Sequence, residues 1–166
     1  HTIDVEIQAE RIAKSEKIKS KEDIYLLKLA SLYHDTGFLI TYKEHEIAGC
    51  NFARNELPEF GLTNDQIEII CGMIMATRVP QTPHTRLEEI ICDADLDYLG
   101  REDFPPISNN LKKEFLEYGV IKNEAAWDPL QIGFLEKHQY FTQTSNETRA
   151  PKKSEYLAIL KQELDH

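Results

Sequence analysis

Apolar residues recur in steps of three and four along nearly the whole chain, and this spacing restricts the fold more than any other feature. Ile24, Leu27, Ala30, Ser31 and His34 follow one helix face, and Ile67, Ile70, Cys71 and Ile74 follow a second. Leu87, Ile90, Ile91, Ala94 and Tyr98 make a third stripe. No segment alternates with the two-residue period of a strand. Thr63-Asn64-Asp65-Gln66 has the form of a capping box, with Thr63 as cap and Gln66 reaching back. Pro80 and Pro83 break the chain before the Leu87 helix, and Gly100 with Pro105-Pro106 separates that helix from the next. The pattern predicts helices near 2–18, 22–36, 43–57, 64–76, 84–99, 108–118, 128–138 and 152–164, with residues 139–151 as the longest polar loop. The expected fold is an all-α, single-domain helical bundle over residues 1–166, with the Leu27–His34 and Leu87–Tyr98 helices adjacent at its centre.

A chain of 166 residues can bury a core of this kind without disulfides. Cys50, Cys71 and Cys92 have no C-x-x-C spacing and sit in apolar helical patterns, so they read as reduced core residues of a cytoplasmic protein. No run approaches the roughly 20 apolar residues of a membrane span. The chain opens at His1 with neither a basic leader nor an initiator methionine, which reads as a piece of a longer product. Nineteen basic residues against twenty-nine acidic ones give a net charge of −10, which argues against long nucleic acid as a partner. Small phosphorylated ligands stay open, because a bound divalent metal dominates the local field even in an acidic protein.

Ligand-type side chains meet apolar helix faces in four places. His34 continues the Leu27–Ala30 stripe, so it points inward, and the adjacent Asp35 carboxylate is costly there unless paired or metal-bound. A buried His bonded to its neighbouring Asp would satisfy the same pattern. His45 and Glu46 begin the next helix, and Gly49 on that helix marks the close approach of another helix or a ligand. The zinc-protease motif is excluded, since it needs a histidine where Gly49 stands. Asp93-Ala94-Asp95-Leu96-Asp97 would by default be a surface charge run. With Leu87 at zero and about 100° per residue, however, the apolar face centres on Ala94 and Tyr98. Asp95 then lies on its flank and Asp93 well outside it. His1 leads the first helix and shares a face with Val5 and Ile12.

The order of these pieces resembles the HD superfamily of metal-dependent phosphohydrolases. The resemblance rests on His1-Thr2-x-x-Val5, Leu32-Tyr33-His34-Asp35-Thr36-Gly37, His45-Glu46-x-x-Gly49 and Asp93-Ala94-Asp95-Leu96-Asp97-x-Leu99-Gly100. The tail Phe134-Leu135-x-x-His138-x-Tyr140-Phe141-Thr142 extends it. It implies His1, His34, Asp35 and Asp95 as ligands of a divalent metal (Mn²⁺, Fe²⁺, Co²⁺, Ni²⁺, Zn²⁺ or Mg²⁺). Asp93 would then stand behind the ligands or at the surface. His45 would protonate a leaving oxygen, or ligate a second metal in a binuclear site, and Glu46 would orient or deprotonate water, beside the catalytic Asp35. Lys43, Arg149 and Lys153 are candidates for gripping phosphate. His138 is a candidate substrate residue or a satisfied core histidine.

The function this implies is hydrolysis of a phosphoester or phosphoanhydride of a small phosphorylated compound, a nucleotide first. The alternative is a metal-loaded regulatory or ligand-binding domain of a signalling protein with little turnover. Oxygen chemistry at a di-iron site ranks third, since it needs further ligands. An oligomer is left open.

Overall fold

The computed structural model describes residues 1–164. Several of its helices begin where a side chain satisfies free N–H groups of the first turn. Ser20 accepts from the Asp23 amide at 3.1 Å and opens α2 (Lys21–Tyr33), after α1 (Thr2–Ser15). The anticipated Thr63–Gln66 capping box is present, with bonds of 3.3 and 2.9 Å, and opens α4 (Asn64–Ala76). A second box, between Thr85 and Glu88, opens α5 (Arg86–Asp95). Between α2 and α4 lie a 3-10 turn at Thr36–Leu39, α3 (His45–Glu56) and a 3-10 turn at Leu57–Phe60. After α5 come a 3-10 turn at Asp97–Gly100, α6 (Phe104–Glu117), a 3-10 turn at Glu124–Ala126, α7 (Trp127–Lys137), α8 (Gln143–Thr148) and α9 (Ala150–Leu164). No strand occurs among the described residues, so the fold is all-α as the periodicity predicts. No helix among them is long and apolar enough to cross a membrane.

Three expectations need correction. Residues 139–151 are not a loop, but carry α8 and the start of α9. That stretch lacks an apolar stripe, and tertiary hydrogen bonds order it instead: the Thr142 amide donates to Asp93 and the Thr144 amide to Glu16. Pro105 and Pro106 do not separate helices, but lie in the first turn of α6, where a missing N–H breaks no intrahelical bond. The helix expected to run to residue 99 ends at Asp95.

The described residues divide into two compact units. Unit 1 is His1–Leu96 with Phe141–Thr144, and unit 2 is Asp97–Tyr140 with residues 145–164. In unit 1, α2 packs against α1, α4 and α5, and α1 also packs against α5. The core is Val5, Ala9 and Ile12 from α1, Leu26, Leu27 and Ala30 from α2, Ile70, Met73 and Ile74 from α4, and Ile90, Ile91 and Ala94 from α5. Each large aliphatic side chain so buried stabilises the fold by about 1.5–3 kcal/mol. Cys50, Cys71 and Cys92 are free thiols in the interior. In unit 2, α9 packs on α7 and on the Asp97–Gly100 turn, over buried Phe104, Trp127, Leu135 and Tyr140.

Two glycines fix the placement of α3. A Cβ at Gly37 would lie 1.8 Å from the His45 carbonyl oxygen, and one at Gly49 would lie 3.0 Å from that of Tyr33. The start of α3 therefore packs backbone to backbone against the end of α2 and the turn after it. Gly37→Ala should force α3 outward and lower stability by about 1–3 kcal/mol. Gly133→Ala, where a Cβ meets nothing within 4 Å, should be neutral or slightly stabilising. Urea unfolding midpoints of the two variants test the contrast.

Candidate metal centre

His34 closes α2 in a helical conformation and is 1% exposed. Its Nδ1 is 2.7 Å from the Ser31 carbonyl oxygen, which can only accept, so Nδ1 carries a hydrogen and Nε2 is the nitrogen turned to the cluster. That arrangement is the usual support of a metal-binding imidazole. Around His34 Nε2 stand Asp35 Oδ2 at 3.2 Å, Asp95 Oδ1 at 3.4 Å and His1 Nε2 at 3.4 Å. His1 Nε2 is itself 2.9 Å from Asp95 Oδ1 and 3.6 Å from Asp35 Oδ2. Burial pushes the His34 pKa down, but the Asp35 and Asp95 carboxylates outweigh it and raise it to about 10.

The spacing suits one small cation. Donors held about 2.0–2.1 Å from a common centre lie about 3.3 Å apart in a tetrahedron and about 3.0 Å apart as octahedral neighbours. His1, His34 and Asp95 each offer an atom to such a group. His34 and Asp95 also sit at the C-terminal ends of α2 and α5, where the helix dipoles favour positive charge. Two imidazoles and two carboxylates are a donor set for a divalent transition metal rather than for calcium.

The model of the HD domain matches residues 1–97, which include all four of these residues. The chain belongs to the HD-domain family. A solved structure described as a predicted HD superfamily hydrolase, from an uncultured Thermotogales bacterium, has a similar fold, with a TM-score of 0.63 and 20% identity. The alignment covers 99% of this chain and 78% of that one. No curated protein matches the sequence.

In this HD domain Asp35 faces two ways. Its Oδ2 joins the cluster, while its Oδ1 is 3.6 Å from His45 Nε2. His45 Nε2 is also 3.6 Å from Oε1 of Glu46, whose side chain is buried. The His45 imidazole is stacked on Phe38, with centroids 3.7 Å apart and planes 16° from parallel. Lys43 lies exposed two residues before His45.

Asp93 is fully buried, which corrects its placement well outside the apolar face of the helix. The wheel allowed for one packed side of α5, whereas the Phe141–Thr144 segment covers another. The Asp93 carboxylate accepts from the Phe141 amide at 2.9 Å, the Thr142 amide at 2.8 Å and the Thr142 hydroxyl at 2.6 Å. It is saturated by protein donors, and Asp95 is the acid that reaches the histidines.

Arg149, Lys153 and His138 belong to unit 2. Arg149 Nε is 2.9 Å from Oδ1 of the buried Asp97. Lys153 is buried, donates to the Leu135 carbonyl at 3.3 Å and to the His138 carbonyl, and lies 3.2 Å from His138 Nδ1. Burial pushes its pKa down. The His138 ring packs edge-on against Tyr140 with centroids 4.7 Å apart. All three are thus engaged in the packing of unit 2. Sequence reasoning did not find the roles of Ser31 and Phe38. Ser31, three residues before His34, carried a usable signal, since its carbonyl faces the same side of the helix; the Phe38 stack carried none.

Asp95→Ala should therefore strip the metal, measured as bound ion per folded molecule. Asp93→Ala should instead cost about 3 kcal/mol by stranding interior amide donors, with metal content preserved in the folded fraction. Loss of metal in Asp93→Ala without loss of stability would reverse the assignment.

Proposed function

We propose that this HD domain is a metal-dependent phosphohydrolase acting on a small phosphorylated compound, with His1, His34, Asp35 and Asp95 holding the metal. The observation that carries the reading is His45 and Glu46 standing on the free side of Asp35, at the rim of the cluster. A domain that only bound a metal would have less need of a buried carboxylate and an imidazole so placed. A divalent ion bound there supplies Lewis acidity toward a phosphoryl oxygen and lowers the pKa of water. The chain's own groups handle the protons. Glu46 takes a proton from the attacking water, and His45 gives one to the oxygen that leaves phosphorus. Asp35 and Glu46 flank the same His45 nitrogen, Nε2, and the Phe38 ring fixes the plane of the imidazole.

Lys43 is the cation nearest in sequence to this rim and is assigned to the phosphate. The substrate is small: the net charge of −10 disfavours long nucleic acid, and a nucleotide is the first class to test. Phosphate release from a panel of nucleotides and sugar phosphates should require added divalent metal and stop on chelation. Asp35→Ala should abolish both metal binding and turnover. His45→Ala should slow turnover about 10²–10⁴-fold while metal is retained. Loss of metal in His45→Ala would favour a binuclear centre. A metal-loaded protein that releases phosphate from no member of the panel would replace this reading with a regulatory, ligand-binding one.

A further inference from the structure

Three helix faces in unit 2 border a cleft of about 370 Å³ that holds none of the residues of the metal centre. Phe104 and Ser108 come from α6, Trp127 and Gln131 from α7, and Tyr156 and Leu160 from α9. Each pair is spaced by four residues, which puts both side chains on one face of its helix. A cleft of this size accommodates a small organic molecule. Its aromatic walls are held in place by the protein. The Tyr156 hydroxyl donates to the Arg101 carbonyl at 3.0 Å, and the Phe104 ring lies 4.8 Å from that of Tyr156. Phe115 meets the Trp127 indole edge-on at 5.6 Å. A ligand would therefore lose little in ordering them.

The polar groups of the cleft decide what it takes. Gln131 is 8% exposed, and its Oε1 accepts from the Ser108 hydroxyl at 3.1 Å. The Gln131 side-chain N–H groups have no hydrogen-bond partner among the described residues and are not sealed from solvent, so they open onto the cleft. A nearly buried donor without a partner is costly until an acceptor is brought to it. Asp128 and Glu163 also line the cleft, and both are exposed, with no cationic partner among the described residues. The one basic side chain beside them at the deeper part of α6, Lys112, has its ammonium 3.6 Å from Glu124. The uncompensated charge at the cleft is thus negative, and aromatic faces beside carboxylates attract an organic cation.

We propose that the cleft between α6, α7 and α9 binds a small planar organic cation. Gln131 donates to a carbonyl oxygen of the ligand, the Phe104, Trp127 and Tyr156 side chains hold its flat body, and Asp128 and Glu163 draw its ammonium group. Asp128 precedes Gln131 by three residues, so the two stand about 5–6 Å apart at Cβ on one side of α7. A single ring between an amide and an amine spans such a gap. None of these groups takes part in the proposed hydrolysis, so binding here is read without turnover.

Trp127 is the only tryptophan of the chain and lines the cleft, so its fluorescence reports occupancy. Three probes of similar size are titrated into the full chain near neutral pH: 4-(aminomethyl)benzamide, 4-methylbenzamide and 4-carboxybenzamide, which are cationic, neutral and anionic. The cation should saturate with a Kd on the order of a millimolar, as suits so small a ligand. It should bind about tenfold tighter than the neutral probe, and the anion should be weaker still. Asp128→Asn combined with Glu163→Gln should bring the ratio of cation to neutral probe close to one. Gln131→Leu should weaken 4-(aminomethyl)benzamide about tenfold and leave benzylamine, which lacks the carbonyl, no weaker. Both acids are exposed, so the charge comparison holds even where Gln131→Leu disturbs packing. Equal affinity for the three probes, no saturable change with any of them, or a preference for the cation that survives the double substitution would overturn the proposal. Equal losses for 4-(aminomethyl)benzamide and benzylamine in a folded Gln131→Leu would do the same.

Discussion

Two carboxylates converge on a buried imidazole in this protein, and the rest of the site is arranged around the positive charge that they require. Asp35 and Asp95 come within 3.2 and 3.4 Å of His34 Nε2, at the C-terminal ends of two helices whose dipoles add further negative potential. Burial opposes charge on His34, yet the carboxylates prevail and raise its pKa to about 10. The cluster therefore favours positive charge on His34, and the proposed divalent metal, held by the same atoms, would bring more charge than one proton.

The contrast with the other buried charges is informative. Asp93 is enclosed in α5, but three protein hydrogen bonds compensate it. Asp97 is paired with Arg149, and Lys153 is held by backbone carbonyls. Each of these groups is matched by partners within its own unit, as interior charges must be. At the cluster the facing groups are two acids and two imidazoles, with no lysine or arginine among the residues brought together. Asp93, Asp97 and Lys153 are compensated by protein partners and serve the packing, whereas at the cluster the acids have only imidazoles facing them among the contacts described.

Close backbone approach couples this cluster to the residues assigned to proton transfer. Gly37 and Gly49 let the first turn of α3 pack on the end of α2, so that His45 reaches the outer oxygen of Asp35. One carboxylate thereby serves both the metal cluster and the rim. The turn that makes this approach possible also sets Phe38 on His45, and the same short segment positions the imidazole and exposes an aromatic surface.

The all-helical architecture, the Thr63 cap and the inward direction of His34 were legible in the sequence, because helical periodicity and capping are set by residues three and four positions apart. Spacing also singled out Gly49 and favoured Asp95 over Asp93, since a side chain's angle around a helix follows from its position. Other features depended on contacts between segments far apart in the chain. The hydrogen bonds that bury Asp93 come from residues 141 and 142, nearly fifty positions away, and no wheel drawn for α5 alone contains them. The helix at Gln143–Thr148 has no apolar stripe to announce it, because its ordering comes from side chains elsewhere in the fold. Lys153 and Arg149 stood in the sequence as candidates for gripping phosphate, and packing engages them with carbonyls and a carboxylate. Local chemistry thus determined which residues could bind a cation, and only the tertiary structure decided which charges were already compensated, because compensation depends on neighbours in space and not in sequence.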